Sequence, residues 1–280
     1  MEKEELKQLV QELYERCPGN VIGEEQALDP ALVGLKMFEA PLVGFASARD
    51  ALFDRFTERE VIGPWFMGPE QWLPGAQTVV SMFFPFTEDV KQSNRSQTDG
   101  PSLAWLHGRI EGQAFLAAFS RMLRDALLER GVAACAPAVD ERSRSAMGGN
   151  NFKEYEGVNE QTFGSNWSER HAGFVCGLGT FGLSKGLITQ KGIAGRLASV
   201  IIGEKLEPDV RPYTELYEYC SKCGACVRRC PMQAISVEKG KEHPPCHAML
   251  KKTKEQYGGH LGCGLCQTKV PCESGIPGRK

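Results

Sequence analysis

The chain has 280 residues, 41% of them hydrophobic and 24% charged. That composition suits an ordinary globular protein and excludes wholesale disorder, a collagen-like chain or a coiled coil. Its 33 basic and 35 acidic residues leave a net charge of −2, without the basic excess of a protein that grips a phosphate backbone.

In chain order, the opening MEKEELKQLVQELYER lacks the apolar core of a secretion signal. Leu6, Leu9, Val10 and Leu13 recur at helical spacing and predict an amphipathic helix, ended by Cys17-Pro18-Gly19. Residues 41–46 read as a short buried strand. Trp72-Leu-Pro-Gly-Ala76 reads as a turn launching a β-branched and aromatic strand over 78–84. Polar residues 87–101 read as a loop. Residues 102–130 read as a long helix with Leu106, Ile110, Phe115, Leu116, Phe119, Leu123 and Leu127 along one side, stopped by Gly131. A strand is expected over 132–136 and another over 193–202. The polar stretch 140–170 is long for a loop, and such length points to function. No apolar run approaches the roughly 20 residues of a membrane span. A cytoplasmic protein with no membrane partner is therefore expected.

The 11 cysteines are unevenly placed. Disulfides are rare in a reducing compartment, so metal or redox chemistry is the better explanation. Cys17, Cys135 and Cys176 are scattered and read as ordinary buried thiols. The others begin with Cys220-x2-Cys223-x2-Cys226-x3-Cys230-Pro231. This is the bacterial ferredoxin run, in which three thiolates wrap one corner of a [4Fe–4S] cube and the fourth turns toward a second cube. Zinc also binds C-x2-C pairs, but four cysteines at this spacing before a proline favour iron and sulfide. Cys246, Cys263, Cys266 and Cys272 complete eight thiols, enough for two cubes. The crossed pattern assigns Cys220, Cys223, Cys226 and Cys272 to one and Cys230, Cys246, Cys263 and Cys266 to the other. The spacing of the second set departs from the usual repeat, which leaves one cluster plus spare thiols as the alternative.

Gly177-x-Gly179-x-x-Gly182 matches the dinucleotide fingerprint. The residues after it are poor helix formers, whereas that fingerprint requires a helix to carry the pyrophosphate. The remaining readings are a tightly packed turn or a backbone loop against which a large flat cofactor lies.

Three features together resemble the epoxyqueuosine reductase family and its relatives, the reductive dehalogenases. They are Cys176-Gly-Leu-Gly-Thr-Phe-Gly-Leu-Ser-Lys185 followed by Gly186-Leu-Ile, similar to the family's AGLGWxGK loop; the cysteine order; and Trp72-Leu-Pro-Gly-Ala76 before the strand. The resemblance spans roughly residues 40–280. It implies an α+β fold, with a nitroreductase-like α/β core (1–207) that binds cobalamin, followed by a ferredoxin-like double-cluster module (208–280). Cobalamin would lie against Gly177, Leu178, Gly179, Thr180, Phe181, Gly182, Ser184 and Lys185. The clusters would pass electrons to it from a low-potential donor such as a ferredoxin or flavodoxin, and the cofactor would do the difficult chemistry. The family's proton donor is an aspartate ahead of the glycine loop, which points to Asp140, with Tyr155 and His171 as alternatives. The chain ends at Lys280 with a slightly negative charge, whereas epoxyqueuosine reductases continue into helical repeats that help hold tRNA. Both observations argue against tRNA and for a small-molecule electrophile. A reductase carrying FMN, and an electron carrier without substrate, are the competing readings.

Overall fold

The computed structural model describes residues 1–145 and 164–278. The first sixteen residues form α1 (Lys3–Arg16), which buries Leu6, Leu9, Val10, Leu13 and Tyr14 on one face. A four-stranded antiparallel sheet lies at the centre. It uses β1 (Leu42–Ser47), β2 (Thr78–Pro85), β3 (Ala134–Cys135) and, far along the chain, β6 (Gly195–Ile202), in the order β1-β2-β6-β3.

All eight residues of β2 are buried, so the sheet is covered on both sides. The period-two alternation then sorts side chains between two cores. Val80, Met82, Phe84, Ala198 and Val200 pack toward α1 and the long helix α5 (Leu103–Glu129). Val79 and Ile201 face the other way, toward Ala172 and Val175 of α6 (Glu169–Val175). The result is helix, sheet, helix, with short helices α2 (Ala51–Arg55) and α3 (Pro69–Trp72) at the margin.

The stretch 87–101 is not loop throughout. Thr87 caps α4 (Glu88–Arg95), its Oγ1 accepting from the Val90 N–H, and Glu88 and Asp89 fill the acid-favouring first turn. After α6 come the paired strands β4 (Gly179–Phe181) and β5 (Leu187–Thr189). The cysteine segment contributes α7 (Ala225–Arg228), the hairpin β7 (Ile235–Ser236) with β8 (Gly240–Lys241), and α8 (His243–Gln256). The architecture is thus mixed α+β, as expected. Among the described residues no helix is long and apolar enough to cross a membrane.

Candidate functional site

The eight late cysteines fall into two spatial groups. Cys272 lies within electrostatic reach of Cys220, Cys223 and Cys226, fifty residues away in sequence. These four thiols line one pocket together with Gly182, Ser184 and Val270. Cys263 and Cys266 both feel Cys246 and Cys230. This grouping is compatible with the crossed ferredoxin pattern, and Cys226 also feels Cys266 across the two groups.

The local backbone explains how each group forms. Cys223-Gly-Ala-Cys226 and Cys263-Gly-Leu-Cys266 are two copies of one turn. Gly224 (φ 70°) and Gly264 (φ 68°) sit in the left-handed region and start α7 and the 3-10 turn Leu265–Gln267. A side chain at Gly264 is also excluded by space, since a Cβ there would lie 1.9 Å from the Trp105 indole. Most of the sixteen residues between Cys246 and Cys263 belong to α8, which carries Cys246 in its first turn and leads the chain back.

The donor set fits iron–sulfur clusters. It is all thiol, arranged in two fours, and backbone N–H groups point at the sulfurs: Ala234 N donates to Cys230 Sγ at 3.2 Å. Burial raises the thiols of Cys226 to about 11 and of Cys263 and Cys272 to about 12, with neighbouring thiols adding to the rise. Bare, these sites hold protons. Iron must displace them, so loading is tied to proton release.

The thiol segment is docked on the core through α4. Asn94, fully buried, donates from Nδ2 to the Cys263 carbonyl (3.2 Å) and to Thr268 Oγ1 (3.1 Å), while its Oδ1 accepts from Ser102 N. Arg95 pairs with Glu273 at 2.6 Å, and Arg229 donates to the carbonyls of Gln97 and Asn94. Ile193 N donates to the Cys272 carbonyl at 2.8 Å, extending the approach to β6.

The glycine loop forms a hairpin, not the strand-to-helix turn of a dinucleotide site. Leu178, Gly179, Thr180, Phe181, Gly182 and Ser184 are buried, Gly177 is half-buried, and only Lys185 at the tip is exposed. A Cβ on Gly179 would lie 1.9 Å from the Ile188 carbonyl, and one on Gly186 would lie 2.7 Å from the Ile193 side chain. These glycines let β4 and β5 close on each other. The loop borders the first thiol group, whose pocket Gly182, Leu183 and Ser184 help to line.

Asp140 sits in an ion pair. Arg142 Nε and Nη2 reach its two carboxylate oxygens at 2.8 Å, and Arg142 also donates to the carbonyls of Gln71 and Trp72. The guanidinium holds Asp140 down at about 2, so in this arrangement it is a carboxylate that clamps the loop through Arg142. Burial, with help from Arg170, lowers His171 to about 4. Its ring is wedged 5.0 Å from both Phe56 and Phe181 and its Nδ1 meets Ser168 Oγ at 2.7 Å. Tyr155 lies outside the described residues. Cys17, Cys135 and Cys176 are buried and their thiols are raised by burial.

Three further sets of residues had no sequence motif to announce them. Glu169 opens α6 with neither carboxylate oxygen hydrogen-bonded. Ser199 and Trp167 lie near it, but their 2.9 Å bond is to each other; burial raises Glu169 to about 7. Arg109, Arg170 and Arg196 gather beside Cys246 and Cys266. Lastly, His107, Glu111 and His260 place three metal-capable groups together. Their hydrogen bonds argue against an ion. His107 Nε2 accepts from the Leu28 N–H at 3.0 Å, so the ring proton sits on Nδ1 and is donated to Glu111 Oε2 at 2.9 Å. Glu111 Oε1 meets His260 Nε2 at 2.9 Å. The carboxylate bridges two imidazoles and staples α5 to the loop before Cys263.

A family model of a 4Fe-4S binding domain matches residues 214–236. No curated protein matches the chain in sequence. Among solved structures, the epoxyqueuosine reductase from Streptococcus thermophilus is similar over 99% of this chain and 68% of its own, at 13% identity and a TM-score of 0.53. An epoxyqueuosine reductase solved with an epoxyqueuosine-modified tRNA stem loop is similar over 98% and 68%, at 19% identity and a TM-score of 0.51. A catabolic reductive dehalogenase is similar over 98% of this chain but 37% of its own, at 16% identity and a TM-score of 0.52. The argument against tRNA is corrected by the second of these: a chain of this fold holds a tRNA stem loop, so neither the charge balance nor the end at Lys280 counts against one. The chain thus has the fold shared by epoxyqueuosine reductases and reductive dehalogenases, with a 4Fe–4S binding segment built into it.

Proposed function

We propose that this protein is an iron–sulfur oxidoreductase, a reductase that passes single electrons through two [4Fe–4S] clusters to an electrophilic substrate. The observation that carries this reading is the pair of four-thiol groups in crossed order, docked on an α/β core far larger than an electron carrier needs. Cys220, Cys223, Cys226 and Cys272 would hold one cluster and Cys230, Cys246, Cys263 and Cys266 the other. Each cluster supplies one-electron chemistry at a potential set by charge, hydrogen bonds and burial. The chain's own part is to fix the thiols, shield them with Val270, Ile188 and Ile193, and keep both groups against the core through Asn94 and Arg95.

Cobalamin, in a nitroreductase-like core, is the acceptor that the sequence resemblance adds. The glycine hairpin, which borders the first thiol group, is the part of the core that would lie against it, and bound cobalamin would supply low-valent cobalt chemistry there. FMN has no distinguishing contact in its favour. Metal analysis of the anaerobically reconstituted chain, offered iron, sulfide and cobalamin, tests the reading. About eight irons per chain with reversible bleaching by a low-potential donor supports the two-cluster reductase, and stoichiometric cobalt would add the corrin. Zinc in place of iron would overturn the proposal.

A further inference from the structure

Beside the second thiol group four cations gather from four different elements, and a fifth, Lys185, stands next to one of them, Lys241. Arg109 comes from α5, Arg170 from the first turn of α6, Arg196 from the start of β6, Lys185 from the β4–β5 turn and Lys241 from β8. Arg109 and Arg170 each feel Cys246, Arg170 and Lys241 feel Cys266, and Arg196 feels Arg109 and Arg170. Lys185 and Lys241 repel one another. Among the described residues, no ion pair includes any of the five.

Like charges converge at a cost unless something neutralises them. Nothing in the described chain does so. The Nε atoms of Arg109 and Arg196 are buried without a hydrogen-bond partner, and among the described residues the one hydrogen bond from these two guanidiniums runs from Arg196 Nη2 to Gln113. Gln113 stands one turn after Arg109 on α5, so the two arginines share one side of that helix. Arg170 is solvent-exposed, so its guanidinium can be reached from outside the chain. The second cluster would offset part of the charge. A cube with four thiolates carries about two negative charges, fewer than the four cations gathered beside it.

We propose that Arg109, Arg170 and Arg196, with Lys185 and Lys241 at the rim, form a binding site for an oxyanion group, phosphate or carboxylate, on the molecule that the second cluster reduces or serves. Guanidinium forks match such groups bidentately. The site would hold the ligand by its anionic end within reach of the electron source. This deepens the reductase reading and rests on it for the ligand's role, though not for the anion binding itself.

Calorimetric titration of the cluster-loaded full chain with inorganic phosphate and with oxalate, at low salt, tests the site. Saturable binding of at least one probe is expected, weakened about tenfold in Arg170→Gln, whose exposed side chain can be changed without disturbing the core. The expected loss is complete in Arg170→Gln/Arg196→Gln, with iron content unchanged. Redox titration gives a second readout: a bound anion lowers the midpoint potential of one cluster in the wild type and leaves Arg170→Gln unmoved. Cobalamin and cobinamide, which lacks the nucleotide phosphate, identify the source. Displacement of phosphate by cobalamin alone assigns the site to that cofactor's phosphodiester, and displacement by neither assigns it to the substrate. No saturable binding by fully iron-loaded protein, or equal binding by Arg170→Gln, overturns the site while leaving the reductase reading intact. Phosphate binding with no substrate reduction does the reverse.

Discussion

Individual side chains decide which groups stay ionised. Asp140 is held at about 2 by Arg142, below its unfolded value of 3.8. Its pair therefore stabilises the fold at neutral pH, and that contribution disappears as pH falls from about 4 toward 2. Asp140→Asn is expected to lower stability at pH 7 by about 1 kcal/mol, read as a drop in Tm, and to leave electron transfer through the clusters intact. Glu169 runs the other way. Its folded value, about 7 against 4.5, means that it binds a proton more tightly in the native state. Stability is then lost as pH rises from about 4.5 to 7. Glu169→Gln is expected to raise Tm at pH 8, by an equivalent of about 1–2 kcal/mol, and to have little effect at pH 4.5. Equal Tm shifts at the two pH values would show that the carboxylate is solvated. At the metal centre, Cys272→Ser is expected to cut iron from about eight to about four per chain, leaving the group around Cys246 loaded.

Elements carry the second layer of the account, and here the sequence was legible in some places and not in others. Helices and strands with a strong apolar period were readable: α1, β2, α5 and β6 lie where Leu6–Leu13, Thr78–Phe84, Leu106–Leu127 and Ile193–Ile202 put them. α4 was missed because its exposed face is Glu, Asp, Lys, Gln and Arg. Its buried residues are only Val90 and Asn94, too few for a period, although the Thr87 cap was a usable signal. α8 was missed because two prolines follow His243, where they read as a break but sit in the first helical turn. These two elements explain the irregular cysteine spacing, since α8 spans the gap after Cys246 and α4 holds the far end of the segment. Asn94→Ala is expected to cost about 2–3 kcal/mol, because it strands the Cys263 carbonyl and the Ser102 N–H. Iron should then be lost faster to a chelator. Gly264→Ala forces a Cβ into Trp105 and a left-handed backbone on alanine. It should abolish loading of the second group, whereas Gly224→Ala, whose nearest neighbour is the end of Arg228 at 3.3 Å, should be milder.

For the whole molecule, the central arrangement is a covered sheet with an electron-carrying segment stitched to one end. Cysteine count and spacing made the 4Fe–4S binding segment readable, because thiolate geometry is dictated by the cube itself. The cationic group beside them was not readable, because its five members come from five elements separated by up to 132 residues in sequence. The role of the glycine motif was not readable either, because glycines needed for close strand packing and glycines needed for a ligand look alike in one dimension. The measurement that tests the central claim most directly is the low-temperature EPR spectrum of the anaerobically reconstituted, fully reduced chain. Two clusters held side by side by crossed thiols should give a spin-coupled signal integrating to about two spins per chain. An uncoupled signal integrating to about one spin would contradict the account.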